Sequence, residues 1–143
     1  MVLGVLSVEG ALGVHQIALR RYRCLGCRAI LVVGPWDLLP DLLYSLVTVV
    51  VALAQWALGA TKASVRAQLG AFSVVGVSTL RGWPSLRRWA DRAAQGRLLA
   101  EVGVSISGSR RGRAARWVHI LAGAGPPESS LAVRALAGAK HYR

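Results

Sequence analysis

Between Leu42 and Thr61 the chain carries 20 consecutive uncharged residues, with Leu46-Val47-Thr48-Val49-Val50-Val51-Ala52-Leu53-Ala54 at their centre. A stretch that is apolar on all sides becomes either a helix buried in a core or a membrane span, for which about 20 residues suffice. Ser45, Thr48 and Gln55 dilute the run, and Thr61-Lys62 starts another helix at once. We therefore read Tyr44–Leu58 as a core helix stopped near Gly59, with one span near 42–61 as the alternative. Thr61 is placed to cap a shorter helix over Lys62–Leu69, with Gly70 at its end.

Upstream, the pattern turns to period two. Residues 1–8 and 14–23 read as strands joined through a turn at Glu9-Gly10, and Ala29–Val33 as a third strand closed by Gly34-Pro35. Cys24-Leu25-Gly26-Cys27 then forms the tight turn of a hairpin, with Gly26 as the residue suited to a positive φ. Asp41 is positioned to cap the following helix. Downstream, residues 71–80 fit strand or helix equally. The clearest element runs from Trp83 to Gly96: Pro84 fits its first position, Gly96 its exit, and Leu86, Trp89, Ala90 and Ala93 recur at i, i+3, i+4, i+7. Arg88, Asp91, Arg92 and Gln95 take the opposite face, with Arg87 at its edge. Residues 103–112 read as a loop, Arg113–Leu121 as a helix broken by Gly123–Pro127, and Ser129 or Ser130 as the cap of a last helix through Ala137.

The expected fold is α+β: a small N-terminal β-hairpin unit at 1–40, a helical, helix-turn-helix-like region at 41–96, and a basic helical extension of unassigned role at 97–143. At 143 residues the chain is long enough for one modest core.

Charge sharpens this picture. The chain holds 18 Lys+Arg against 6 Asp+Glu, a formal net charge of +12. Most of the excess lies beyond residue 80, and only Lys62 and Lys140 are lysines. A polyanion is the simplest partner: DNA, RNA or an anionic membrane surface. Guanidinium forks suit phosphate and guanine edges. The arginine bias also has a compositional explanation, since a chain rich in Ala, Arg, Gly, Val and Leu and lacking Asn is what a GC-rich genome encodes. The N-terminus has no early positive region or Ala-x-Ala site, so no secretory leader is expected and the compartment is read as cytoplasmic.

Cys24 and Cys27 are the only cysteines. A Cys-x-x-Cys turn points two thiolates at one place, which is half of a tetrahedral zinc site, and structural zinc takes four protein ligands. Completion would have to come from outside the chain or from His15 and His119; otherwise the turn is a vestigial hairpin with reduced thiols. No cofactor is expected, zinc entering only if ligands are supplied from elsewhere. Ser85, Arg87, Arg88 and Arg92 on the basic helix are the candidate DNA contacts: Arg88 or Arg92 for a guanine edge, the others for phosphates. An ordinary solvated face on an amphipathic helix explains the same residues.

The run Arg20-Arg21-Tyr22-Arg23-Cys24-Leu25-Gly26-Cys27, then a hydrophobic strand, Leu39-Pro40 and Tyr44-Ser45-Leu46, resembles the second half of the zinc-ribbon region of bacterial transposase-like proteins. Ser78-Thr79-Leu80-Arg81 or Ser85-Leu86-Arg87-Arg88-Trp89 is similar to the helix-turn-helix that typically follows there. The resemblance spans about residues 17–95 and implies a DNA-recognition region of mobile-element origin, although the first Cys-x-x-Cys of such a ribbon is missing. Catalysis is not expected. Strand transfer needs a carboxylate cluster holding two metal ions, and beyond Arg92 the only acids are Glu101 and Glu128. No phosphate-cradling glycine loop, Ser-His-Asp order or His-Glu-x-x-His is present. The expectation is a non-catalytic DNA-binding protein, a remnant or accessory of a mobile element, with DNA as partner and room for a homodimer. The alternatives are a one-span membrane protein and a helical protein-interaction subunit.

Overall fold

A computed structural model describes residues 2–6, 12–16, 19–34, 44–69, 84–99, 101–104 and 107–142. Along these, four strands precede five helices: β1 (Val2–Leu6), β2 (Leu12–Gln16), β3 (Arg20–Arg23), β4 (Ile30–Val33), α1 (Leu46–Ala57), α2 (Lys62–Leu69), α3 (Ser85–Ala94), α4 (Arg110–Gly123) and α5 (Leu131–His141). The fold is α+β, as expected. The strands form two separate antiparallel hairpins, β1 with β2 and β3 with β4.

That pairing corrects the reading of 14–23 as one strand. β2 ends at Gln16 and pairs with β1, Val2 opposite Gln16. β3 starts at Arg20 and pairs with β4, Arg20 opposite Val33 and Arg23 opposite Ile30. Each half of the stretch serves a different partner, and the Cys24–Cys27 turn matches β3 in length to β4. The left-handed residue of that turn is Arg28 (φ 59°), not Gly26. The proposed turn at Glu9-Gly10, the Asp41 cap, Gly70 and the ambiguous residues 71–80 lie outside the described residues.

α1 is the hub of the helical body and packs on the four other helices. Val47, Val49, Val50 and Val51 are poor helix formers because χ1 is restricted, so packing rather than propensity holds them helical. Leu46, Thr48, Val49, Val50, Ala52, Leu53, Ala54 and Trp56 are buried. The helix is 12 residues long, and among the described residues no helix is long and apolar enough to cross a membrane. Its cap is Ser45, whose Oγ accepts from the Thr48 N–H at 3.3 Å and lies 3.1 Å from Thr48 Oγ1. A buried serine and threonine thus satisfy each other.

Gly59 (φ 115°) and Gly96 (φ 67°) end α1 and α3 in the same way. The Gly59 N–H donates to Trp56 O and the Ala60 N–H to Gln55 O; the Gly96 N–H donates to Ala93 O and the Arg97 N–H to Arg92 O. This double hydrogen bond needs a left-handed residue just past the helix, which is why glycine stops both. Thr61 caps α2, its Oγ1 accepting from the Ser64 N–H at 3.1 Å.

α4 begins three residues earlier than the sequence suggested. Ser109 Oγ accepts from the Gly112 N–H at 3.1 Å, so 110–112 are helical rather than loop. Ser130 caps α5, which continues past Ala137 to His141. α4 and α5 cross closely: a Cβ at Gly138 would lie 1.8 Å from Leu121 O. Residues of the C-terminal third share the main core, with Leu98, Leu99, Val102, Trp117, Leu121, Ala135 and Ala139 joining Leu53, Val65, Leu86 and Trp89. The buried Trp117 indole donates to Val102 O at 3.0 Å, which ties the segment before α4 to the core.

Candidate nucleic-acid interface

α3 divides as its spacing predicts. Leu86, Trp89, Ala90, Ala93 and Ala94 are buried. Trp89 meets Tyr44 edge-on, ring centroids 5.1 Å apart at 73°. The helix is held by α1 and α4, so its rigidity comes from the body rather than mainly from α2; the α2–α3 connector lies almost wholly outside the described residues. On the other side Arg87 and Arg88 are exposed, while Ser85 and Arg92 are half-buried. Ser85, Arg88 and Arg92 follow i, i+3, i+7 and share one edge of the exposed face; Arg87 sits at the opposite edge. Among the described residues, Arg87, Arg88 and Arg92 form no ion pair.

The one acid on this face is already committed. Arg110 Nε donates to both Asp91 carboxylate oxygens, at 3.1 and 3.0 Å, and Arg113 Nη2 donates to Oδ1 at 2.7 Å. One carboxylate thus sits between two guanidiniums, and the N-terminal turn of α4 is pinned to α3. The cluster adds positive charge to the face rather than neutralising it. Arg110, Arg113 and Asp91 were not legible as a unit, because the arginines fell in or at the edge of a stretch read as loop. The signal available was Ser109 three residues before Gly112, a cap pattern without the usual Glu at the third helical position.

Other arginines of the C-terminal half serve the fold. Arg111 Nε donates to Trp56 O at 2.7 Å and its Nη2 to Ala60 O at 3.0 Å, so it caps the carbonyl end of α1. Arg134 Nε donates to Ala122 O at 3.2 Å near the end of α4, and Arg116 Nη2 to Ser107 O at 2.5 Å. A cation at a helix C-terminus is favourable. Part of the +12 charge is therefore taken up at helix ends.

The Cys24–Cys27 hairpin stands apart from α3. All residues from Arg20 to Gly34 are exposed, including Leu25 at 98 % and Leu31 at 64 %. β3 carries Arg20, Arg21 and Arg23, and β4 carries Ile30 to Val33; each face of the hairpin therefore pairs arginines with aliphatics, apart from Tyr22 opposite Leu31. Both thiols are free and exposed. The backbone N–H of Cys27, then the Cys27 thiol and the N–H groups of Gly26 and Arg28, hydrogen-bond Cys24 sulfur and hold its pKa below the ordinary thiol value, against a smaller opposing effect of desolvation. His119 is exposed on α4, and the side chain of His15 lies outside the described set. Among the described residues no three His, Cys, Asp or Glu side chains gather where a metal would sit. No family model, curated protein or solved structure matches the chain.

Proposed function

We propose that the protein binds DNA without catalysing a reaction on it, and that the exposed face of α3 is its contact surface. The observation that carries this reading is the unbalanced face itself. Arg87, Arg88 and Arg92 project from a helix fixed by a buried tryptophan, and the acid on that face is held between Arg110 and Arg113. Arg88 and Arg92, one turn apart, reach a groove or its phosphates; Ser85 and Arg87 hold the flanking backbone. A rigid helix whose basic side chains point outward loses little conformational freedom on contact.

The order of a Cys-x-x-Cys hairpin before a basic helix supports placing the protein beside bacterial transposase-like proteins, as a cytoplasmic remnant or accessory. The burial of α1 argues against the span near 42–61. The test is titration of duplex DNA with purified protein at two salt concentrations. Affinity falling steeply with salt supports the proposal, because each neutralised phosphate adds about 0.9 to the slope of log affinity against log salt. Absence of binding at low salt overturns it in favour of a protein-interaction subunit.

A further inference from the structure

The hairpin turn carries chemistry that DNA binding leaves unused. Its geometry is fixed by the backbone: the Cys24 N–H donates to Ala29 O at 2.9 Å, the Arg28 N–H donates to Cys24 O at 3.0 Å, and Arg28 takes the left-handed conformation. These backbone hydrogen bonds fix the turn that carries both cysteines before any metal arrives. Both sulfurs are exposed at the apex, and no side chain of the described body approaches to complete a coordination sphere.

We propose that two copies of the chain meet at their hairpin tips and that Cys24 and Cys27 of each close a tetrathiolate zinc centre. Ligand count selects the second copy as the occupant. Zinc in a structural site takes four ligands, one chain supplies two, and an identical chain supplies the missing two in the same geometry. Charge selects it as well. Four thiolates around a divalent cation leave two negative charges, and Arg23 and Arg28 flank the sulfurs of each copy. Without metal, two tips each bearing Arg23 and Arg28 repel one another; with metal, the same arginines flank an anion. The dimer is therefore metal-dependent. Leu25, almost wholly exposed between the cysteines, is covered by the partner tip. Binding exchanges thiol protons for the metal, two from each chain, with no redox change.

Metal pairing at the hairpin and DNA binding at α3 are independent of one another. The test uses the full-length reduced chain titrated with zinc, and in parallel with cobalt(II), whose visible absorption reports a tetrahedral thiolate set. Mass is followed by light scattering. The expected result is saturation at one metal per two chains, a doubling of mass on metal addition, its reversal by a chelator, and a tetrathiolate cobalt spectrum. Cys24→Ser and Cys27→Ser each abolish all of these. The body's melting is unchanged in these variants, since the hairpin contributes nothing to the main core. A monomer at saturating metal, one metal per chain, or no binding at all would overturn the proposal.

Discussion

Replacing Gly138 with alanine tests the packing that holds α5 to α4, and through it the rigidity on which α3 relies. In solvent the change favours the helix by about 1 kcal/mol, because glycine is the worse helix former by that amount. In this fold the new Cβ would lie 1.8 Å from Leu121 O and 2.6 Å from Leu121 C. Both are backbone atoms of α4 and cannot rotate aside. Real Cβ contacts essentially never fall below 3.0 Å, so the helices must separate locally by about 1.2 Å, the difference between 3.0 and 1.8. Overpacking of this kind costs about 1–3 kcal/mol or more. Separation also loosens Leu121, Ala122, Ala135 and Ala139, all buried at the crossing. A clash this deep with rigid backbone belongs at the upper end of that range, about 3 kcal/mol, which less the propensity gain of about 1 kcal/mol leaves a net loss of about 2 kcal/mol. For a chain near 150 residues each kcal/mol is worth about 2–4 °C, so the melting temperature falls by about 4–8 °C. Gly123→Ala in α4 is the control, since nothing lies within 4 Å of a Cβ at that position and only the propensity gain remains. Thermal melting followed by circular dichroism reads both. A Gly138→Ala protein melting at or above the wild type would refute the close crossing.

Leu53→Asp places an unpaired charge in a fully buried site at a cost of about 3–5 kcal/mol or more, so cooperative melting should be lost; a normal melt would show that α1 is not core. Asp91→Asn removes the carboxylate shared by Arg110 and Arg113, whose side chains are 50 % and 16 % exposed. Discounted for solvent screening, the expected destabilisation is about 1–2 kcal/mol, while DNA affinity rises because a negative charge leaves the basic face; lowered affinity in a folded variant would contradict the assigned contact surface. Because its thiolate is favoured by backbone N–H groups, Cys24 should react with iodoacetamide at a lower pH in the folded protein than in urea, where an ordinary thiol titrates near about 8.5. Peptide mapping across pH checks this, and equal profiles in both states would mean the turn does not orient the sulfur.

Much of this architecture can be read from local pattern. The amphipathic spacing of Leu86, Trp89, Ala90 and Ala93 marked α3 and its arginine face, Gly59 and Gly96 marked two helix ends, and Cys24–Cys27 marked a hairpin turn. What escaped depends on distant residues. The division of 14–23 between two hairpins follows from two different pairing partners. The start of α4 was hidden by Gly108, Gly112 and a first turn of arginines, none of which favours a helix N-terminus. Its cations are tolerated because Asp91 and the carbonyl end of α1 receive them across 19 to 55 residues of sequence. Net charge alone therefore overstated the surface available to a polyanion, since Arg111 and Arg134 are used on helix ends.

The most direct measurement is the salt dependence of DNA binding for the Arg88→Ala, Arg92→Ala double variant beside the wild type. Leu86, Trp89 and Ala93 remain in place, Arg88 is exposed and Arg92 half-buried, so the double change should cost only about 1 kcal/mol and the fold should survive. Binding is predicted to weaken, and the slope of log affinity against log salt to shrink by about 0.9 for each phosphate no longer neutralised. A folded double variant with wild-type affinity and an unchanged slope would contradict α3 as the contact surface.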